Sequence, residues 1–515
     1  MKRVFWLVFL IVGFSILIRL FYLEKLPGEW FGDISNVHEY EMQVINGQWP
    51  FYFFQSPGPL YHYLIAPIVI LYKDHGYVTY KVASVIVSLI GLMGIYLFTK
   101  EITNKKTALM TVLTASVSFW FLIWSRLGNS QIVIPAISSF MAYFLVRYIK
   151  RNHLPDLLLG AFVASLGWYT YPQTFLFPIV YLLIIVVSLA AFYILGKSRI
   201  NPLRTLLHFI LVTFVLVILT IPFVQIVKNQ PGNFGPQGYV GKKVLLGGSL
   251  ISAETIEKLK TNLIKTVRML HIRGDETFRV NVSGHPQIDK ISGMLFFLGI
   301  IYFFRTKKYL WLFLTLFFLF VLILPSILPA IPKGEIPSSS RTIAVIPFVF
   351  VLVGAGLSEV YFWVKKILPK KYLTEVLVTG LFVYLVFANL RLYFVDYTKG
   401  LPDKNLGPGR IIAAYIDKLP SNYSVNFSSC CWGEAGQPEH KGVVYNLTKE
   451  RQLFDWNRLI KSCQEVGHYP AVVVVGPDRY SDTEIFEKCA LGTKVDSIYS
   501  EDGRLVSYIV NIPSD

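Results

Sequence analysis

Long apolar stretches recur along most of this chain, and they constrain its fold more than any other feature. A membrane-spanning helix needs about 20 predominantly apolar residues to cross roughly 30 Å of hydrocarbon, and about eleven segments approach that length. They predict a polytopic α-helical membrane protein. The predicted spans are residues 4–22, 77–98, 107–124, 131–148, 157–171, 175–195, 206–227, 288–304, 309–324, 342–364 and 372–394.

The composition supports a membrane protein. Of 515 residues, 54% are hydrophobic and only 16% are charged, whereas charged residues make up about a quarter of a typical soluble domain. These values exclude a disordered chain, a collagen-like repeat and a small disulfide-rich secreted domain. The net charge of +17 is common in nucleic-acid-binding proteins, but in a membrane protein such cations anchor cytoplasmic loops.

The positions of Lys and Arg predict the orientation. They cluster before the first span and in alternate connections, at residues 100–106, 147–151, 197–204, 305–308 and 365–371. Segment 24–59 has only Lys25, and residues 168–173 have none. By the positive-inside rule the N-terminus is cytoplasmic, provided that the short segment 60–71 is re-entrant or interfacial. The sequence thus predicts a multi-pass plasma-membrane protein without a nucleic-acid partner.

Three segments are then expected outside: 24–59, 228–287 and everything after residue 395. The predicted domains are a membrane domain at 1–395, a linker at 396–409 and a small extracytoplasmic α/β domain at 410–515. The elements expected in the last are helices at 410–419, 449–466 and 482–489, and strands near Val425, Val443, 471–475, Lys494 and Ser507.

The α/β domain contains all four cysteines, Cys430, Cys431, Cys463 and Cys489. Oxidising conditions outside the cell would allow disulfides, with three full pairings open. Buried free thiols are the main alternative. A metal site is less favoured, because the vicinal Cys430-Cys431 pair lacks Cys-x-x-Cys spacing.

The first outward loop contains the leading candidate for chemistry. Asp33 follows the first span and precedes an amphipathic helix expected over residues 34–45. A shielded carboxylate there can act as a general base, although an Asp in this position is also a common helix cap. The nearby alternatives are Glu39, Glu41, His38 and His62.

Several short motifs follow one another in a characteristic order. After Asp33 come Asn46-Gly-Gln-Trp-Pro50, Gly58-Pro-Leu-Tyr-His-Tyr-Leu64, Ser125-Arg-Leu-Gly-Asn129, Gly274-Asp-Glu276, Gly284-His-Pro-Gln-Ile-Asp289 and Ser340-Arg-Thr342. This order over roughly residues 1–395 resembles the GT-C glycosyltransferases of the protein O-mannosyltransferase and aminoarabinose transferase superfamily (glycosyltransferase family 39-like). The resemblance implies a GT-C fold and a polyprenyl-phosphate-linked sugar as donor.

The resemblance also implies roles for residues. Asp33 would deprotonate an acceptor hydroxyl, which would displace polyprenyl phosphate with inversion. Arg341, and secondarily Arg126, would meet the phosphate, unless they are interfacial anchors. The further candidates for substrate binding are Asn129, which could equally be a helix cap, Glu39, His62, Asp275 and His285.

No cofactor is clearly implied. Some members of the superfamily carry a second acid near the end of the third span, where this chain reads Gly128-Asn-Ser-Gln131, which makes a carboxylate metal site doubtful there. The acceptor could be a lipid, a protein or a glycan.

The outward loop 228–287 includes an amphipathic helix predicted at 254–272, which would either attract lipid phosphates or pack on the protein as a solvated helix. A lipid-linked saccharide transporter or flippase, and an inactive relative that serves as a scaffold, are the competing functions. Transporters usually have ionisable groups near the midplane of the membrane. Here the acid clearly inside a later span is Glu359, near the expected cytoplasmic end.

Overall fold

The computed structural model divides the chain into two compact units, which are described separately. The membrane unit comprises Met1–Leu23, Tyr40–Lys73 and Thr79–Tyr397, and the α/β unit comprises Glu24–Glu39, Asp74–Val78 and Thr398–Asp515. The structure describes residues 2–28, 32–51, 58–72, 76–194, 202–235, 238, 252–328, 335–368, 371–400, 407–428, 440–449, 451, 453, 460–501 and 503–514.

Helices dominate the chain up to Gly400. They are α1 (Lys2–Leu20), α2 (Gly32–Ile45), α3 (Leu60–Leu71), α4 (Tyr77–Ile102), α5 (Lys105–Val117), α6 (Phe119–Arg126), α7 (Val133–Arg151), α8 (Leu154–Ser165), α9 (Phe177–Ile194), α10 (Pro202–Asn229), α11 (Pro231–Phe234), α12 (Ala253–Met269), α13 (Lys290–Arg305), α14 (Tyr309–Leu322), α15 (Leu324–Ile327), α16 (Ile346–Ile367), α17 (Lys371–Arg391) and α18 (Tyr397–Gly400). Short 3₁₀ turns, at Ser130–Ile132, Leu166–Tyr169, Pro172–Thr174 and Ile343–Val345, join several of them.

Within the described residues, six helices are long and apolar enough to cross a membrane, or seven if α5 and α6 form one bent span. The predicted polytopic helical class is confirmed, but fewer helices meet the length criterion than the eleven expected. Three predicted spans are shorter apolar helices in the described part of the chain, at Leu10–Leu20, Leu154–Tyr169 and Pro172–Val187. Leu60–Leu71 is also short, as predicted.

The predicted third span is not one continuous helix. α5 and α6 meet at Ser118 with a bend of 61°. The backbone N–H of Phe119, which has left the helical ladder, donates to Oδ1 of Asn389 at 2.8 Å. Irregular backbone at membrane depth requires such a replacement partner, and no local sequence pattern indicates that α17 would supply it.

Close helix packing holds the centre of the membrane unit together. A Cβ atom on Gly299 of α13 would lie 2.0 Å from the carbonyl oxygen of Leu352 on α16, and one on Gly356 would lie 1.9 Å from that of Leu295. Small residues at such crossings let two helix backbones approach closely. Near the end of the same helix pair, Nε of Arg305 donates to both carboxylate oxygens of the buried Glu359, at 2.8 and 2.9 Å, so this acid has a cationic partner.

The α/β unit contains a four-stranded mixed sheet. Its strands are β1 (Ser424–Ser428), β2 (Ala471–Val475), β3 (Lys494–Tyr499) and β4 (Leu505–Ile512), in the order β1-β2-β4-β3. β1 and β2 are parallel, and the other two pairs are antiparallel. The helices of this part of the unit are α19 (Pro408–Ile416), α20 (His440–Val444) and α21 (Thr483–Phe486). These four strands confirm those predicted near Val425, at 471–475, near Lys494 and near Ser507.

Two other elements of this unit were predicted wrongly. The strand expected near Val443 is helix α20, whose Val443 side chain packs in a core with residues of α19 and the sheet. Burial against a helix and burial in a sheet produce the same apolar signal over so short a run. Of the helix expected at 449–466, Cys463–Glu465 is a 3₁₀ turn, and 450, 452 and 454–459 lie outside the described residues.

One disulfide joins Cys463 and Cys489, which are 26 residues apart. It belongs to one of the pairings that the sequence left open. Cys430 and Cys431 lie outside the described residues, so the pairing of these two residues stays a prediction.

Candidate active site

A buried turn in the membrane unit presents Arg341, and we call residues Ser338 to Thr342 the arginine turn. Oγ1 of Thr342 donates to the carbonyl oxygen of Ser338 at 2.7 Å. The turn leads directly into the 3₁₀ helix Ile343–Val345 and then into α16. Arg341 therefore lies immediately before the predicted tenth span, as expected.

Three separate segments fix the backbone and side chains of the arginine turn. Oδ2 of Asp275 accepts a hydrogen bond from the backbone N–H of Ser339 at 2.6 Å. The indole Nε1 of Trp124, on α6, donates to Oγ of Ser339 at 3.1 Å. Nε2 of Gln173 donates to the carbonyl oxygen of Ser340 at 2.7 Å. The position of the turn is thus set by three regions distant in sequence.

The Arg341 side chain is only 10% exposed, and its Nη2 lies 3.4 Å from Oε2 of Glu335, which is 57% exposed. A strong charge-assisted N–H···O bond is shorter, about 2.7–2.9 Å. A guanidinium offers five N–H donors in a planar fork that matches phosphate oxygens. This donor geometry suits an anion such as phosphate, and Arg341 stays the predicted phosphate-binding residue.

Asp275 belongs to a loop that closes on itself. Its Oδ1 accepts from the backbone N–H of Thr277 at 2.8 Å, and Nδ2 of Asn281 donates to the carbonyl oxygens of Asp275 and His285, each at 2.7 Å. A Cβ on Gly274 would lie 2.0 Å from the carbonyl oxygen of His285. This contact explains the glycine of the Gly274-Asp-Glu276 motif.

The geometry gives Asp275 a positioning role, because both of its carboxylate oxygens accept backbone hydrogen bonds. Burial raises its pKa, and the hydrogen bonds from Thr277 and Ser339 oppose this effect. The prediction that Asp275 contacts substrate remains untested, but its described contacts are to the loop and to the arginine turn.

We expect Asp275→Asn to destabilise the folded protein by about 1–3 kcal/mol, the usual cost of leaving a buried donor without an acceptor. The amide has one acceptor oxygen, so its NH₂ group would face the N–H of either Thr277 or Ser339. Thermal unfolding of the purified protein in detergent would measure the loss. Glu276→Gln, which changes the exposed neighbouring acid (47% exposed), is the control, and equal unfolding midpoints for both variants would contradict this role.

Arg126, the second phosphate candidate, is fully buried among protein groups. Its guanidinium donates to the carbonyl oxygens of Ile18 (3.0 Å) and Arg19 (2.6 Å) and to the hydroxyl of Tyr393 (3.0 Å). It also lies over the ring of Phe394. The alternative of a snorkelling interfacial anchor is wrong, since the side chain is 0% exposed. These contacts indicate that Arg126 holds the C-terminal end of α1, and its role toward phosphate stays an untested prediction.

Asn129 and His285 make local contacts. The side chain of Asn129 accepts from the N–H of Gln131 at 3.4 Å and caps the 3₁₀ helix Ser130–Ile132, which was the alternative considered for it. Nδ1 of His285 donates to the carbonyl oxygen of Pro286 at 2.7 Å, and its ring lies edge-on to that of Phe119. Neither contact involves the arginine turn.

His62 and Glu41 form a buried pair between α3 and α2. Nδ1 of His62 lies 2.7 Å from Oε1 of Glu41, and both side chains are 0% exposed. The imidazole stacks on the ring of Tyr40 at 3.8 Å. Burial raises the pKa of Glu41 to about 9. Glu41, predicted only as an alternative to Asp33, is thus the partner of His62 in the structure.

The glycine of the Gly58-Pro-Leu-Tyr-His motif also has a steric reason. A Cβ atom at Gly58 would lie 2.3 Å from the carbonyl carbon of Tyr169 and 2.4 Å from the backbone of Thr170. The hydroxyl of Tyr169 donates to the carbonyl oxygen of Leu219. The motif therefore packs tightly against the turn that precedes α9.

Asp33 lies in the α/β unit, in the first turn of α2, and its side chain is exposed. Because α2 begins at Gly32 rather than Ile34, Asp33 is inside the helix. Glu39, on the same helix, contacts Nζ of Lys441 at 2.5 Å and the hydroxyl of Tyr445 at 2.9 Å. These contacts are with the C-terminal part of the chain.

Several residues of the candidate site were not predicted from the sequence. Trp124 bonds Ser339 in the arginine turn, Glu335 contacts Arg341, and Lys441 and Tyr445 contact Glu39. For Ser339, the polar run Ser338-Ser-Ser-Arg341 before an apolar span was an available signal. Nothing in the sequence pairs Glu39 with Tyr445, 406 residues away. In the described part of the chain, no three His, Cys, Asp or Glu side chains are grouped as metal ligands would be.

Comparison with known proteins gives the following relatives. Residues 56–224 match the model of the dolichyl-phosphate-mannose-protein mannosyltransferase family. ArnT from Cupriavidus metallidurans bound to undecaprenyl phosphate has a similar fold, with a TM-score of 0.59, 12% identity and 98% of each chain covered. The same enzyme in its apo state has a TM-score of 0.53 and 12% identity, covering 99% of this chain and 98% of its own. No curated protein matches by sequence.

The family match and the shared fold agree with the order of motifs read from the sequence. The family model begins at Ser56, just before the Gly58-Pro-Leu-Tyr-His motif, and ends within α10. The ArnT fold extends over nearly the whole chain. The resemblance of this chain to the GT-C polyprenyl-phosphate-sugar glycosyltransferases is confirmed, and its fold is GT-C.

Proposed function

We propose that this protein is an integral-membrane glycosyltransferase that moves a sugar from a polyprenyl-phosphate donor to an acceptor hydroxyl on the extracytoplasmic side. The observation that carries the proposal is the arginine turn, in which three hydrogen bonds, one accepted by Asp275 and two donated by Trp124 and Gln173, fix the backbone and side chains around a largely buried guanidinium. A guanidinium carried by a turn fixed in this way suits the stabilisation of a leaving phosphate. The match to a family that uses dolichyl-phosphate-mannose and the undecaprenyl phosphate bound to ArnT support the same donor class.

In the proposed reaction, the carboxylate of Asp33 removes the proton of the acceptor hydroxyl. The oxygen attacks the anomeric carbon from the face opposite the phosphate, so a new C–O bond forms with inversion while the bond to the phosphate oxygen breaks. Polyprenyl phosphate leaves as an anion. Because this leaving group is already stable when charged, it needs a cation rather than a proton donor, and Arg341 would supply it.

The charge distribution supports an extracytoplasmic site. Each of the five short connections that alternate with the segments carrying Asp33 and Arg341 has three or four Lys or Arg, as cytoplasmic connections usually do. We infer that both residues act outside the cytoplasm, where a flipped lipid-linked donor would be available. The sugar could be a hexose or a pentose, and the acceptor a lipid, a protein or a glycan.

The protein reconstituted in liposomes should transfer label from at least one polyprenyl-phosphate sugar to membranes of a deletion strain, and should release polyprenyl phosphate. A panel of hexose and pentose donors, separated by extraction and mass spectrometry, would identify the sugar. The Asp33→Asn variant in the same liposomes provides the control. Transbilayer movement of the lipid-linked sugar without transfer from any donor would contradict the proposal and favour a flippase.

A further inference from the structure

The segment that carries the predicted catalytic base, Asp33, belongs to the same compact unit as the C-terminal part of the chain. The α/β unit contains Glu24–Glu39, and therefore the first turns of α2, together with the sheet and α19 to α21. Nη2 of Arg410, at the start of α19, donates to the carbonyl oxygen of Gly28 at 2.8 Å. A polar contact thus ties the segment before α2 to the C-terminal part.

Three further contacts join α2 itself to the C-terminal part of the chain. Nζ of Lys441 lies 2.5 Å from Oε1 of Glu39, and the hydroxyl of Tyr445 donates to the same oxygen at 2.9 Å. The ring of His38 packs on the ring of Tyr445, with 4.3 Å between centroids. We call Lys441, Tyr445 and Glu39 the helix clamp.

Part of the helix clamp is anchored in the hydrophobic core of the α/β unit. Lys441 is on the short helix α20, whose Val443 is fully buried in a core with Ile412 and Ile416 of α19 and Val425 and Phe427 of β1. The ion pair is itself partly shielded, since the side chains of Lys441 and Glu39 are 22% and 35% exposed. An ion pair of this exposure contributes little to stability, typically about 0–1 kcal/mol. The main effect of the Lys441–Glu39 ion pair would therefore be to fix the position of α2.

We propose that the C-terminal α/β domain positions the catalytic base: Lys441 and Tyr445 act through Glu39 to hold the helix turn that carries Asp33. This inference rests on the proposed function, because it takes Asp33 as the base. Asp33 and Glu39 are six residues apart, which is about 9 Å along a helix axis. A tilt of α2 at Glu39 would therefore displace Asp33.

Catalysis is sensitive to such displacement. A misplacement of about 1 Å caused by a distant substitution can reduce the rate roughly 100-fold. Asp33 is exposed on the first turn of the helix, and contacts made further along α2 help to set the position of that turn. The domain would thus act in the chemical step even if it never touches the acceptor.

A charge-swap experiment on the full-length protein tests this role. Lys441→Glu and Glu39→Lys are each expected to lower kcat about 10- to 100-fold, with the KM for the polyprenyl-phosphate sugar changed less than about threefold. The double variant Lys441→Glu/Glu39→Lys should recover most of the lost kcat, because it restores the ion pair with reversed polarity. Lys441→Arg should retain activity.

The matched control is the exposed pair Glu254 and Lys258 on α12, 2.7 Å apart, for which the same single swaps should leave kcat unchanged. Thermal unfolding would show whether each variant is folded. If wild-type protein transfers sugar and folded Lys441→Glu keeps full kcat, or if the double variant shows no recovery, the positioning role is wrong. If wild-type protein transfers no sugar from any donor, the proposed function fails instead.

Discussion

Asp33→Asn is expected to lower the rate of sugar transfer by about 100- to 10,000-fold, the usual contribution of a general base. An asparagine has nearly the same shape but cannot accept a proton, so the acceptor hydroxyl would attack without being deprotonated. Because Asp33 is exposed in the first turn of α2, we expect the variant to fold, with an unfolding temperature close to that of the wild-type protein. The loss should therefore lie in kcat.

Single-turnover transfer from a labelled polyprenyl-phosphate sugar would measure this loss directly, separated from product release. Asp33→Glu should retain part of the activity, since it keeps the carboxylate but moves it by about one bond length. Glu24→Gln, in the same outward segment and also exposed, is the matched control and should be fully active. Wild-type rates for folded Asp33→Asn would exclude Asp33 as the base.

The fold class was predictable because membrane helices and short strands leave strong periodic or apolar signals. The amphipathic pattern at 254–272 corresponds to α12, which begins after the N-cap Ser252, and the run 471–475 coincides with β2. Where the prediction failed, the deciding group lay elsewhere in the chain. The bend at Ser118 depends on Asn389, 270 residues from Phe119, and no local pattern reveals such a partner.

The motifs of the candidate site were visible in the sequence, but their structural roles were not. The sequence shows that Arg126 and Arg341 each flank a predicted span. It cannot show which groups surround each side chain. Arg126 is enclosed by the carbonyl oxygens of α1 and the ring of Tyr393. Arg341 instead has the largely exposed carboxylate of Glu335 among its contacts. Because a contact with an exposed group lies where a ligand can reach, Arg341 stays the first phosphate candidate.

Arg341→Ala is expected to reduce transfer about 100- to 1,000-fold, the loss typical when a group that stabilises developing charge is removed. The negative charge grows on the phosphate oxygen as the bond to the sugar breaks, so the effect should be larger on kcat than on the KM of the donor. Arg341→Lys keeps the charge but loses the planar fork that can donate two parallel hydrogen bonds. We therefore expect its activity to be intermediate.

The test compares donor kinetics in Arg341→Ala, Arg341→Lys and the control Arg151→Ala, whose side chain is 50% exposed and paired with Glu101. The arginine turn should remain folded in the alanine variant, because Asp275, Trp124 and Gln173 contact the backbone and hydroxyl groups of Ser339 and Ser340 rather than the guanidinium. Substitution at Arg341 thus removes the cation while leaving the turn in place. If Arg341→Ala had wild-type donor kinetics, the leaving phosphate would have to be stabilised by a different group.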